Sequence, residues 1–254
     1  MSLKAAGVNL VVRAVDLRVR PVQLRLPFRF GAATLTACPQ LFVRVEVEVP
    51  GHGTAHGWAA EMMVPKWFDK RAGFSPEENI ADLRSAIVAA AQAYLNDAPA
   101  PAFGLFARNY DALMARGRAA GMTELSTAFG QAVLDRAVID ALCRATGQSF
   151  FAAAQHNLLG LADSPVAADL TGWDWPGWLA SLQPLRRIEA RHTVGLLDEL
   201  DASRFGDDDL PVSLRAVIER YGHRSFKIKL GGDPNADLAR LRAVLEVLDE
   251  TVGD

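Results

Sequence analysis

The sequence predicts an α+β domain followed by repeating βα units of the kind that build a parallel sheet or barrel. Three observations predict it. Residues 41-LFVRVEVEV-49 alternate apolar and charged with period two, the mark of an antiparallel strand with one buried face. Two strong helical patterns with start and stop signals follow, near residues 76–94 and 124–145. From residue 191 onward the order is strand, helix, strand, helix, with 225-SFKIKLGGDP-234 feeding the last helix.

Taken in order, 10-LVVRAVDLRV-19 reads as a first strand, and 27-PFRFGAATLTACPQ-40 as a loop or hairpin connection with aromatics expected at the surface. In the clear strand, Val43, Val45, Val47 and Val49 share one face, and Arg44, Glu46 and Glu48 the other. Pro50 and Gly51 end it, and Gly51, Gly53 and Gly57 punctuate a turn. Ser75-Pro76-Glu77-Glu78 starts a helix: Ser75 caps, Pro76 fits the first helical position, and Glu78 completes a capping box. Ile80, Leu83, Ile87, Ala90, Ala91 and Tyr94 then recur at helical spacing. After the break 98-APAPAF-103, the second helix places Phe129, Val133, Ala137 and Ala141 on one stripe, with Gly147 as its C-terminal glycine. Residues 163–186, rich in Trp and Pro, read as an irregular excursion with one short helix. Then come a strand at 191–197, a helix from Pro211 to Tyr221 ended by Gly222, a strand at 225–230, and a helix from Pro234 capped by Asp233. Leu238, Leu241, Leu245 and Leu248 are its expected apolar stripe.

Composition excludes several classes of function. Half of the 254 residues are hydrophobic and the formal net charge is −3, a globular composition with no basic stripe for nucleic acid. No apolar run approaches the roughly 20 residues of a membrane span, and the N-terminus lacks a signal-peptide pattern. Cys38 and Cys143 lack metal-ligand spacing and read as buried thiols of a reducing, cytoplasmic protein. His52 and His56 flank a Gly-rich turn without acidic or Cys partners arranged around them. Gly51, Gly53 and Gly57 form no dinucleotide fingerprint, and no nucleophile elbow or Walker motif occurs. Gly231-Gly232 before a helix start either cradles an anion or simply turns the chain.

The lysine pair carries the chemistry. Alternation puts Ser225, Lys227 and Lys229 on one face and Phe226, Ile228 and Leu230 on the other. One reading is an edge strand with lysines in water, which protects against strand pairing. The other aims them into a site: helices cover one face of a βα strand, and in a barrel the second face points inward, toward the mouth at the strand's C-terminal end. There two neighbouring ammonium groups oppose each other, so one lysine can act as a neutral base while the other stays charged and stabilises an anion.

These segments, in this order, resemble the enolase superfamily on the branch of mandelate racemase and the muconate lactonizing enzymes. The resemblance rests on 41-LFVRVEVEVPGHGTAHGWAAE-61, on 128-AFGQAVLDRAVIDALCRATGQSFF-151, and above all on the Lys-x-Lys strand FKIKLG at 226–231. It implies an N-terminal α+β capping domain, residues 1–125, over the first part of a modified (β/α) TIM barrel, residues 126–254, incomplete in this chain. It also implies abstraction of the proton α to a carboxylate, with a divalent metal, usually magnesium, stabilising the enediolate. Lys229 matches the acid/base, and Lys227 its partner, which helps to hold the substrate carboxylate. The loops near 27–38 and 59–67 match capping loops that close over substrate, with Phe28, Phe30, Met62, Met63 and Trp67 as an apolar lid.

The family's metal ligands, acidic residues on later barrel strands, have no counterpart here. Asp249, Glu250 and Asp254 lie in or beyond the last helix and are not assigned as ligands. The expectation is therefore the N-terminal part of a longer cytoplasmic, homo-oligomeric enzyme acting on a small carboxylate as a racemase/epimerase, cycloisomerase or dehydratase. The 254 residues alone are expected to be inactive and to hold no metal in the family's way. The alternative is a truncated, catalytically inactive relative serving in binding or assembly.

Overall fold

The computed structural model describes residues 7–31 and 33–252; the opening residues and Asp254 lie outside them. The chain divides into two compact units, one of residues 1–22 and 38–184, the other of residues 23–37 and 185–254.

In the first unit, β1 (Val11–Phe30), β2 (Ala33–Val49) and β3 (Gly53–Met62) form a three-stranded sheet in the order β1-β2-β3. Both β1 and β2 continue into the second unit at their adjoining ends, so the expected loop at 27–40 is largely strand. The Gly-punctuated turn expected after Val49 is only residues 50–52. Beyond it, β3 pairs antiparallel with β2 from Gly53 opposite Val49 to Met62 opposite Gln40. Glycines at 53 and 57 hid this strand from propensity. Alternation in β2 holds as expected: Val43, Val45, Val47 and Val49 are buried, and the charged positions between them are not. Arg13 pairs with Glu48 and Arg44 with Asp16 along the solvated face.

Three long helices cover the apolar face. α1 (Pro76–Leu95) starts with the full capping box, Glu78 N–H donating to Ser75 Oγ at 3.1 Å and Ser75 N–H to Glu78 Oε2 at 2.7 Å. α2 (Ala102–Ala119) begins inside the Pro/Ala segment expected only to break the chain; Pro101 sets its extended N-cap, and Leu105, Leu113 and Met114 bury one face. α3 (Glu124–Thr146) buries the expected stripe and ends at Gly147, whose φ of 64° is left-handed. A short α4 (Phe150–Gln155), a 3₁₀ turn (Pro165–Leu170) and α5 (Trp175–Ser181) complete the unit.

Close approach holds α3 at the centre. A Cβ on Gly57 would lie 2.1 Å from Ala137 O and 2.3 Å from Ala141 N, so β3 rests directly on the α3 backbone. A Cβ on Gly130 would lie 2.2 Å from the Ala86 carbonyl, where α1 crosses α3. The core this creates is continuous, from Leu10 and Val12 through the β2 valines to Leu134, Val138 and Leu142. The expected boundary at 125/126 does not coincide with the division into units, because α3 packs on α1, α2 and β3 and so stays with the sheet.

One polar network crosses this core. The Tyr94 hydroxyl donates to Asp135 Oδ1 at 2.6 Å, and Gln131 Nε2 donates to Tyr94 Oη at 3.2 Å and to Phe106 O at 2.8 Å. Burial pushes the Asp135 carboxyl up to about 7, with the Tyr94 bond opposing it in part.

The second unit contains two βα units. β4 (Arg191–Val194) and β5 (Ser225–Ile228) pair in parallel, His192 opposite Phe226 and Val194 opposite Ile228. α6 (Leu214–Tyr221) ends at left-handed Gly222, and α7 (Pro234–Thr251) starts at Asp233, whose Oδ1 accepts from Asn235 N and Ala236 N. Both strands are shorter than expected. The α7 stripe differs in part: Val244 and Val247 are buried with Leu248 packed against them, whereas Leu238 and Leu245 are exposed at 48% and 46%. A helix covering a two-stranded sheet buries a narrow stripe, and the valines occupy it.

Two outcomes follow from this packing. Gly57→Ala should destabilise the fold by about 2 kcal/mol or more, because the added methyl meets backbone atoms that cannot rotate away; chemical denaturation measures it. The raised Asp135 carboxyl stays protonated in the fold between about pH 4 and 7 while its unfolded counterpart ionises, so its destabilising contribution is absent below about pH 4 and grows as pH rises. Asp135→Asn should therefore gain stability relative to the parent between pH 5 and 7.5, on the order of 2 kcal/mol, in paired urea titrations.

Candidate active site

The second unit separates the two faces of β5 as alternation requires. Phe226 and Ile228 pack with Val194, Leu214, Ile218, Val244 and Val247, a small core shared with α6 and α7. Ser225 and Lys227 lie on the opposite face, beside Arg191 and Thr193 of the adjacent strand. Lys227 is exposed and Lys229 half-buried. Lys229 stands one residue beyond β5, yet its N–H donates to Val194 O at 3.0 Å, so the parallel ladder still fixes its backbone.

The end of the strand is locked from within. Gly231 N–H and Gly232 N–H donate to Asp237 Oδ1 and Oδ2 at 2.7 and 2.8 Å. These amides already hold an anion, the carboxylate of the first turn of α7, so the two glycines turn the chain here. Gly232 has φ of 98°, which a side chain would strain.

The β1–β2 tip belongs to the same unit and meets Lys229. The Lys229 ammonium lies 5.7 Å from the centre of the Phe28 ring, within cation–π range. Phe28 and Phe30 stand 5.8 Å apart, ring centre to ring centre, with Phe30 buried. Arg25 anchors the tip to the 205–211 loop: it donates to Asp208 through Nε and through Nη2 at 2.7 Å, to Leu210 O at 2.8 Å and to Pro211 O at 3.1 Å. The guanidinium holds the Asp208 carboxyl down at about 2.

The other residues expected around substrate lie in the first unit. Met63 is fully buried in its core, whereas Met62 is half-buried and Trp67 is 42% exposed. The segment around Trp67 is tied down: Asp69, 1% exposed, accepts from Arg71 N, Nε and Nη2 at 2.5–3.1 Å, which holds its carboxyl below the usual range. Lys66 takes a left-handed φ of 62°, its N–H bound to Asn79 Oδ1 at 3.0 Å. Sequence reasoning missed Thr193, Asp237 and Arg25. An acidic residue in the first turn after Gly-Gly could have marked Asp237. Nothing local marks Arg25, whose partner Asp208 is 183 residues away.

Magnesium does not fit the residues present. The lysine face of the strand pair offers Ser225, Arg191 and Thr193, and no three His, Cys, Asp or Glu side chains among the described residues are placed to share an ion. His56 Nε2 is 3.0 Å from Glu46 Oε2, an isolated pair. Cys38 and Cys143 are buried free thiols, pushed up by burial.

No protein-family model matches the sequence, and no curated protein matches it. Solved structures do. The chain is similar over 97% of its length to an enolase from Bradyrhizobium complexed with magnesium and mandelic acid, at 20% identity and a TM-score of 0.52, covering 52% of that chain. Muconate lactonizing enzyme from Pseudomonas fluorescens, complexed with muconolactone, matches 95% of this chain and 51% of its own at 14% identity and TM-score 0.53. A dipeptide epimerase from Methylococcus capsulatus, complexed with magnesium and the dipeptide L-Arg-D-Lys, matches 95% of this chain and 52% of its own at 17% identity and TM-score 0.50. The chain thus shares the fold of these solved enzymes over nearly all of its own length, and spans about half the length of the structures it matches. No helix among the described residues is long and apolar enough to cross a membrane.

Arg25→Ala should release the β1–β2 tip. Amide hydrogen exchange across residues 23–31 is expected to rise by about tenfold or more, with β4 and β5 unchanged; equal exchange would show that Arg25 does not hold the tip.

Proposed function

We propose that these residues form the capping domain and first barrel strands of an enzyme that removes the proton α to a carboxylate, a racemase/epimerase, cycloisomerase or dehydratase. The observation that carries the reading is the lysine face at the C-terminal end of the parallel strand β5: Lys227, and Lys229 one residue past the strand, opposite half-buried Phe226 and Ile228, which pack on the unit's small core. The fold likeness supports it, since those neighbours include a muconate lactonizing enzyme and a dipeptide epimerase.

Lys229 is the acid/base in this reading. Its backbone is fixed by the ladder bond to Val194 and by the Asp237 clamp two residues on, so Nζ approaches substrate from a defined root. The Phe28 ring centre lies 5.7 Å from Nζ, so the ammonium that returns the proton has a cation–π partner. Lys227 supplies a second cation on the same face, which attracts the substrate carboxylate. Phe28 and Phe30 are lid residues in this reading, as are Met62 and Trp67 of the first unit, whereas Met63 is buried in that unit's core. Magnesium dependence belongs to the whole enzyme, with ligands that these residues do not supply. A cytoplasmic homo-oligomer is part of the same reading; the two buried unpaired thiols bear on the compartment alone.

The test is exchange of the substrate α-proton with solvent deuterium, followed by NMR across acid sugars, dipeptides and N-acyl amino acids, in the full-length enzyme with magnesium. Lys229→Ala should lower exchange by about 10²–10⁴-fold, the usual contribution of a general base. Lys227→Ala should raise KM as well as lower kcat. Normal exchange in Lys229→Ala would refute the role given to Lys229.

A further inference from the structure

The N-terminal end of the same parallel pair holds a second cluster that the lysine chemistry does not use. His192 is the second residue of β4, and His223 lies two residues before β5. Their ring centres are 5.7 Å apart, and the Tyr221 ring packs edge-on 6.0 Å from His223. Both histidines, with Tyr221 and Asp198, line a cavity of about 290 Å³ within the second unit.

We propose that His192 and His223 are paired ligands for a late first-row divalent transition ion, zinc in the first instance, with water or a small incoming ligand completing its shell. Two imidazoles on one ion, each with a metal–nitrogen bond of about 2.0–2.1 Å, have ring centres about 4.5 to 6.3 Å apart for bond angles from square to linear. The observed 5.7 Å falls inside that range.

The protonation pattern suits ligation. His223 Nδ1 lies 3.3 Å from Ala190 O, which can only accept, so Nδ1 carries the hydrogen and Nε2 keeps its lone pair. Burial, together with the neighbouring His223, holds His192 below the usual imidazole range. The Arg25 guanidinium on the cavity wall is already engaged by Asp208 and two carbonyls. Asp198 bears on His192 electrostatically, but its Oδ2 accepts from Gly195 N at 2.7 Å, and no third His, Cys, Asp or Glu completes a closed site among the described residues. An open two-imidazole site selects for zinc, nickel or copper and against magnesium or calcium, which require oxygen ligands.

A zinc titration of the intact chain, followed through the side-chain ¹H–¹⁵N signals of its five histidines, tests the proposal. The expected result is that the His192 and His223 signals shift together and saturate at one equivalent, with magnesium causing neither shift. Either His192→Ala or His223→Ala should weaken zinc binding by about tenfold or more, and His56→Ala should not. The spectrum of the parent chain decides the matter even if a variant fails to fold. Absence of a saturable joint shift, or a site that survives either substitution, would overturn it.

Discussion

The two faces of β5 have opposite needs, and the second unit is organised around meeting both. A strand that presents cations on one side must be anchored entirely from the other. Phe226 and Ile228 do this by joining Val194 to the buried residues of α6 and α7. Hydrogen bonds then extend that order past the strand: Lys229 remains on the ladder, and Asp237 pins the two glycines that follow. Lysine side chains are long and flexible, so chemistry at Nζ depends on a fixed backbone and a neighbour such as Phe28 that limits its sweep.

The first unit solves a different problem, packing a long helix against a sheet with little space between. Its answer is small residues at the contact: Gly57 against Ala137 and Ala141, and Gly130 against Ala86. This closeness excludes water and leaves a core in which any polar group must find partners. Tyr94, Asp135 and the Gln131 amide nitrogen do so, at the cost of a carboxyl that resists ionisation and of a buried Gln131 Oε1 left without a hydrogen bond. The loop carrying Trp67 is similarly strapped by Asp69, Arg71 and Asn79, which makes it a defined surface.

Much of this was legible in the residues. The β2 valines, the Ser75 capping box, the α3 stripe, Gly147, Gly222 and Asp233 each act through neighbours within a few positions, where spacing alone carries the information. The misses have a common cause. β3 contains glycines that lower strand propensity but permit contact with α3, and α2 starts in a proline segment that reads as a break. Met63 looks like a lid residue by position, but β3 carries it into the core. In α7 leucine spacing suggested the buried stripe, and the width of the sheet chose the valines.

By itself the sequence determined which residues of the lysine strand share a face, because the two-residue period of a strand is a property of the backbone. It also determined where the main helices begin and end, since caps and left-handed glycines are local. Only the tertiary structure decided that Phe28 meets Lys229, that Arg25 holds the tip bearing it, and that His192 and His223 share a cavity. Those relations join residues from 31 to 201 positions apart, and no local preference of the chain encodes such distances.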